Sequence, residues 1–96
     1  MIIKLSPISW DRGLAVSKEG DVLTINGEVF DFTPLGDGNV LPQAAINCDF
    51  IAGDVRRVDG ALIVPILLPI SAGAGEAARF PDDIVDPADG MLELPQ

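Results

Sequence analysis

The chain has 96 residues, 48% hydrophobic and 22% charged, with six Lys and Arg against fifteen Asp and Glu, a formal net charge of −9. That apolar content offsets the entropy of ordering, so disorder is excluded and one domain over residues 1–96 is expected. The negative field repels phosphate backbones and anionic headgroups, which excludes nucleic acid and a membrane surface as partners.

In chain order, Ile2 to Leu5 reads as a first strand, and the apolar run there is too short for a signal-peptide core. Glu19-Gly20 and Asn26-Gly27 then sit between β-prone segments. Asn-Gly supplies the positive φ that both central residues of a two-residue hairpin loop require. A loop at Asn26-Gly27 sets Ile25 against Glu28, Thr24 against Val29, Leu23 against Phe30 and Asp21 against Phe32. The same rule at Glu19-Gly20 sets Lys18 against Asp21, Val16 against Leu23 and Leu14 against Ile25. One face of this three-stranded meander then collects Leu14, Val16, Leu23, Ile25, Phe30 and Phe32 as core, and the other carries Ala15, Ser17, Val22, Thr24, Val29 and Asp31. A three-residue loop with a bulge at Gly20 is the alternative, because Glu disfavours the left-handed conformation; it would turn Leu14 and Val16 away from the core face.

Thr33 to Pro42 is a Gly/Pro-rich loop, and Gln43 to Asn47 has room for at most one helical turn. Asp59-Gly60 is the next hairpin signal, pairing Val55 with Val64, Arg57 with Leu62, Gly53 with Ile66 and Ile51 with Leu68. Its reverse side holds Ala52, Asp54 and Arg56 on one strand and Ile63, Pro65 and Leu67 on the other. A strand apolar on both faces is normally covered on both, yet Pro65 removes a backbone donor and predicts an edge strand or a bend. Pro65 and Pro69 also interrupt Ala61 to Ile70, which falls well short of a membrane span. Beyond it, Ser71 to Arg79 reads as loop with a helical turn at Glu76 to Arg79, stopped by Pro81. Ile84-Val85 and Met91 to Leu94 are expected to close a last hairpin through Pro87-Ala88-Asp89-Gly90. The fold class is all-β: an antiparallel meander of hairpins forming a small sandwich or partly open barrel, with at most one or two short helical turns.

The chemical inventory is short. The chain has no His and no Tyr, which removes the commonest general base and a phenolic proton donor. Cys48 is the one cysteine; its neighbour Asp49 disfavours a thiolate, so it reads as a small buried hydrophobe, and the lack of a pairing thiol fits a reducing cytoplasm. Ser6, Ser9, Ser17 and Ser71 match no nucleophile motif. Gly36-Asp37-Gly38 and Gly73-Ala74-Gly75 do not open a helix after a strand, so they form no phosphate cradle. No catalytic residue, metal ligand set or cofactor is assigned, and the protein is expected not to be an enzyme. Asp82, Asp83, Asp86 and Asp89 form an oxygen-rich tail whose alternatives are a hard-cation loop and a charged, solvated sheet edge.

Two features point to protein contacts. Trp10, beside Asp11-Arg12-Gly13, is either a recognition anchor or a ring closing the end of the core. Ile63, Pro65 and Leu67 form an outer apolar set that a partner, a second subunit or the Ser71 to Arg79 segment must cover. These four residues are the candidate interface.

The stretch Gly20 to Phe32 (GDVLTINGEVFDF), followed by Pro34-Leu35 and Leu41-Pro42, resembles a segment of small uncharacterised bacteriophage and prophage proteins. Gly53-Asp54-Val55, Leu67-Leu68-Pro69 and Arg79-Phe80-Pro81 are similar too. The resemblance implies a phage-encoded accessory protein, produced with tail components and either cytoplasmic or virion-associated, and it transfers no activity to any residue. The functional expectation is a non-enzymatic assembly or structural protein acting through a protein partner or as a homo-oligomer. A small binding module with a cation in its acidic tail is the alternative.

Overall fold

The computed structural model describes residues 1–95. At the two strongest turn signals, Asn26 and Asp59 have φ of 50°, followed by Gly27 at 86° and Gly60 at 80°. This is the left-handed pair that a type I′ hairpin needs, a loop whose twist matches that of the strands it joins.

The strands are β1 (Ile2–Ser9), β2 (Val16–Glu19), β3 (Val22–Ile25), β4 (Glu28–Asp31), β5 (Val40–Leu41), β6 (Val55–Val58), β7 (Ala61–Ile70), β8 (Ile84–Val85) and β9 (Gly90–Met91). A 3₁₀ turn at Gln43–Ala45 and a single helical turn, α1 (Glu76–Arg79), complete the elements. Both fall where the sequence allowed a helical turn. The strands form two sheets, ordered β5-β6-β7-β1-β8 and β4-β3-β2-β9. Val16, Leu23 and Ile25 of the second meet Ile3, Val55, Leu62, Val64 and Ile66 of the first in one core, joined by Phe32, Phe50, Ile51 and Leu92. The architecture is a small, mostly β sandwich of two antiparallel-rich sheets.

The β3–β4 register is the one Asn26-Gly27 demands, with Ile25 opposite Glu28, Thr24 opposite Val29 and Leu23 opposite Phe30. At the preceding turn the pairing differs from expectation by two residues: Val16 faces Ile25, and Lys18 faces Leu23. The loop there is Gly20-Asp21, and of the two only Gly20 has a positive φ, 58°. A glycine first is the signature of the II′ loop, which spares Glu19 a left-handed conformation. Because the slip is two rather than one, every side chain keeps its predicted face. Of the predicted core set, Val16, Leu23, Ile25 and Phe32 are fully buried, whereas Leu14 and Phe30 pack against the core only partly buried.

Around Asp59-Gly60, Arg57 faces Leu62 as expected. Farther from the turn Ile51 pairs with Ile66, not Leu68, and Gly53 does not pair with Ile66. Residues 52–54 bulge out of the ladder, and this corrects the reading of Pro65. β7 is the central strand of its sheet, not an edge. The Pro65 carbonyl accepts from the Ala52 N–H at 2.9 Å, so the proline nitrogen, which has no proton to give, also faces the bulged strand. A Cβ built on Gly53 would lie 3.5 Å from Pro65 Cγ, so the bulge brings bare backbone onto the ring. A bulge is one of the few places a sheet accepts proline.

Two pairings are non-local. β1 is longer than expected and runs parallel to β7 from Ile2 opposite Ile63 to Ser9 opposite Ile70, so the sheet is not a pure antiparallel meander. The expected last hairpin does not form: β8 joins β1, setting Ile3 against Ile84, and β9 joins β2, setting Ser17 against Met91. The tail thus straps one sheet to the other. Its aspartates are the fasteners, Asp83 on Lys4 at 3.2 Å, Asp86 on the Met1 amino group at 3.2 Å and Asp89 on Lys18 at 2.7 Å.

Candidate functional site

Alternation along β7 holds from Ala61 to Pro69: Leu62, Val64, Ile66 and Leu68 are buried, while Ile63, Pro65 and Leu67 are half-buried. The inner set fills the core. The outer set stands on the far side of the sheet, and register extends it across all five strands. Val40 of β5 faces Arg56, Arg56 faces Ile63, Ile63 faces Ile2, and Ile2 faces Val85 of β8. One row of outward side chains therefore crosses the sheet, four apolar and one cationic.

Further along, the outward pairs are Lys4 with Pro65, Ser6 with Leu67, and Ile8 with Pro69; in the other direction Val58 faces Ala61. Val40, Val58, Val85 and Ile8 are exposed. A sheet face this rich in apolar side chains is a candidate contact surface. The candidate trio Ile63, Pro65 and Leu67 lies at its centre.

Trp10 stands apart from that trio, beyond the end of the β1–β7 pair, where its backbone N–H donates to the Ile70 carbonyl at 3.3 Å. Its ring packs against the core with its centroid 5.1 Å from that of Phe50. The Arg12 guanidinium covers both rings, 4.7 Å from each centroid, and reaches Asp49 at 3.2 Å. Trp10 therefore closes the end of the core, with Arg12 as a cation–π cover. Cys48 lies nearby, half-buried against the same core.

Charges the sequence did not single out prove informative. Arg57, on the inner side of β6, donates to the carbonyls of Leu35, Phe32 and Gly60 and to Asp21 at 3.0 Å, so it ties β6 to the turn and loop of the other sheet. Arg56, its neighbour on the outer face, makes no ion pair among the described residues. The hairpin pairing already placed Arg56 on the reverse side beside Ile63. Its companions Val40, Ile2 and Val85 come from distant segments, which no local spacing signals.

The outer face of the four-stranded sheet is built differently. Met91, Ser17, Thr24 and Val29 make one row across it, and Glu19, Val22 and Asp31 the next. Asp31 is held below the usual carboxylate range by hydrogen bonds from Thr33, hydroxyl first and then N–H. Asp89 is held low chiefly by the Lys18 ammonium and then by the Gly20 N–H. Among the described residues, no three His, Cys, Asp or Glu side chains gather where they could hold a metal; Asp83, Asp86 and Asp89 instead sit on three separate cationic groups. Nor is any helix there long and apolar enough to cross a membrane.

No protein-family model, curated protein or solved structure matches the chain.

Proposed function

We propose that this protein is a non-enzymatic assembly or structural accessory protein whose working surface is the outer face of the five-stranded sheet. The observation that carries the reading is the row Val40, Arg56, Ile63, Ile2 and Val85, which leaves the sheet apolar on the side away from the core. A sheet of this composition is ordinarily covered on both faces. A protein partner supplies such cover and also desolvates Arg56, the residue type most enriched with Trp and Tyr at binding hot spots. A place among phage accessory proteins belongs to this proposal on the strength of the resemblance given above.

A photo-crosslinking amino acid at Val58, exposed on this face, tests the reading in the cells that naturally make the protein. Crosslinked protein from position 58, and none from the exposed loop residue Asp37, is the expected result. No product from either position, with the protein folded and abundant, would remove the contact surface and the function built on it.

A further inference from the structure

We infer that the occupant of this face is a second copy of the same chain, presenting the outer face of its four-stranded sheet, so that copies associate face to back. The inference rests on the reading above and adds the identity of the partner.

The two outer faces carry opposite charge. On the five-stranded sheet the outward strand positions hold two charged residues, Arg56 and Lys4, and Lys4 is already engaged by Asp83. Arg56 is left as a cation without an ion pair among the described residues, flanked by Val40 and Ile63. On the four-stranded sheet the outward charged residues are Glu19 and Asp31. A shallow groove there is lined by Ser17, Lys18, Glu19, Val22, Thr24 and Asp89. Lys18 and Asp89 satisfy each other at 2.7 Å, so Glu19 is the charge the groove has to offer, with Asp31 one strand beyond Val22.

Three pairings of these faces are possible, and charge separates them. Two five-stranded faces in contact would bury Arg56 with no acid among the opposing outward strand positions. Two four-stranded faces would set Glu19 and Asp31 against their own copies. Desolvating an unpaired charge is strongly unfavourable, and like charges in contact select against the wrong partner. Face to back, Arg56 enters the Ser17–Thr24 groove opposite Glu19, and Ile63 and Leu67 lie over Val22, Val29 and Met91, of which Val29 and Met91 are exposed. Such a contact is heterologous: each copy keeps one face free, so association continues into a ring or a filament.

Light scattering after size exclusion tests this with two blocked chains, Leu67→Asp on one face and Val29→Asp on the other. Wild type is expected as a multimer, each variant alone as a monomer, and their mixture as a one-to-one dimer that grows no further. Arg56→Glu or Glu19→Arg alone should weaken association about tenfold or more, with the double reversal restoring it; these serve equally if Leu67→Asp does not fold. A multimer lost in Leu67→Asp but kept in Val29→Asp, with no change on mixing, would overturn the inference while leaving the five-stranded face as a contact surface. Wild type monomeric at every attainable concentration would also overturn it, and the Val58 crosslink then decides separately whether a different protein occupies the face.

Discussion

The two sheets follow the same rule of alternation and reach opposite results. In the four-stranded sheet the outward positions are Ser17, Glu19, Val22, Thr24, Val29, Asp31 and Met91, mostly polar or scattered. The inner ones, Val16, Leu23 and Ile25, are buried. That sheet gives one face to the core and carries a mixed, acid-bearing face on the other side. In the five-stranded sheet the outer positions are almost as apolar as the inner ones, and the strand with the greatest excess, β7, is central. Val29 and Met91 are exposed on the four-stranded side, but a mainly apolar row across every strand occurs only on the five-stranded sheet, and it is this asymmetry that distinguishes the two faces.

The largest expected effect concerns how the four-stranded side closes its core. Phe32, fully buried just past β4, should cost about 3–5 kcal/mol on truncation to Ala. Phe30, only partly buried, should cost clearly less. Urea unfolding followed by the fluorescence of Trp10, the single tryptophan, measures both, and equal losses would mean that the two sheets share the core differently. Next comes Arg57→Met, which removes the side chain tying the sheets together. Its charged hydrogen bonds to Leu35, Phe32, Gly60 and Asp21 predict a loss of about 1.5–3 kcal/mol.

Asn26→Gly sharpens the comparison within one turn. It keeps the positive φ but deletes the side chain that accepts from the Ala15 N–H at 2.7 Å and donates to the Gly13 carbonyl at 3.0 Å. About 1 kcal/mol should be lost, whereas the equivalent Asp59→Gly in the other sheet should cost less, since no such bridge is found there. The two outer faces are compared directly by Val29→Thr and Leu67→Thr. The first, at an exposed site, should stay within about 0.5 kcal/mol. The second removes half-buried apolar surface and should cost about 1 kcal/mol.

The smallest effect is that of pH on the strap. Asp89 has its folded pKa lowered, so its contribution is full above the ordinary Asp value of about 3.9 and fades as pH falls through the lowered folded value. Melting temperatures of wild type and Asp89→Asn should differ at neutral pH and converge in acid. A gap that widened toward low pH would reverse the sign assigned to the Lys18 contact.

Much of this was written locally. Asn26-Gly27 and Asp59-Gly60 determined two hairpins and the registers next to them, because a two-residue loop admits one pairing. Parity then determined which side chains share a face, and it survived the two-residue shift at Gly20-Asp21. The excess of apolar residues opposite the core on β7 was equally visible, as was the place of Arg56 among them. Tertiary structure alone decided the rest. A parallel β1–β7 pair has no turn between its strands to announce it. The tail's division between two sheets depends on edges built by segments more than seventy residues earlier, Lys4 and Lys18 among them. Pro65 is accommodated in a central strand because residues 52–54 leave the regular ladder opposite its missing N–H, a local break that only the folded sheet creates. Local chemistry fixes turns and faces within a few residues; which edges meet is settled by the burial of distant surfaces, and so the outer face was legible as a half-strand but became a surface only across all five.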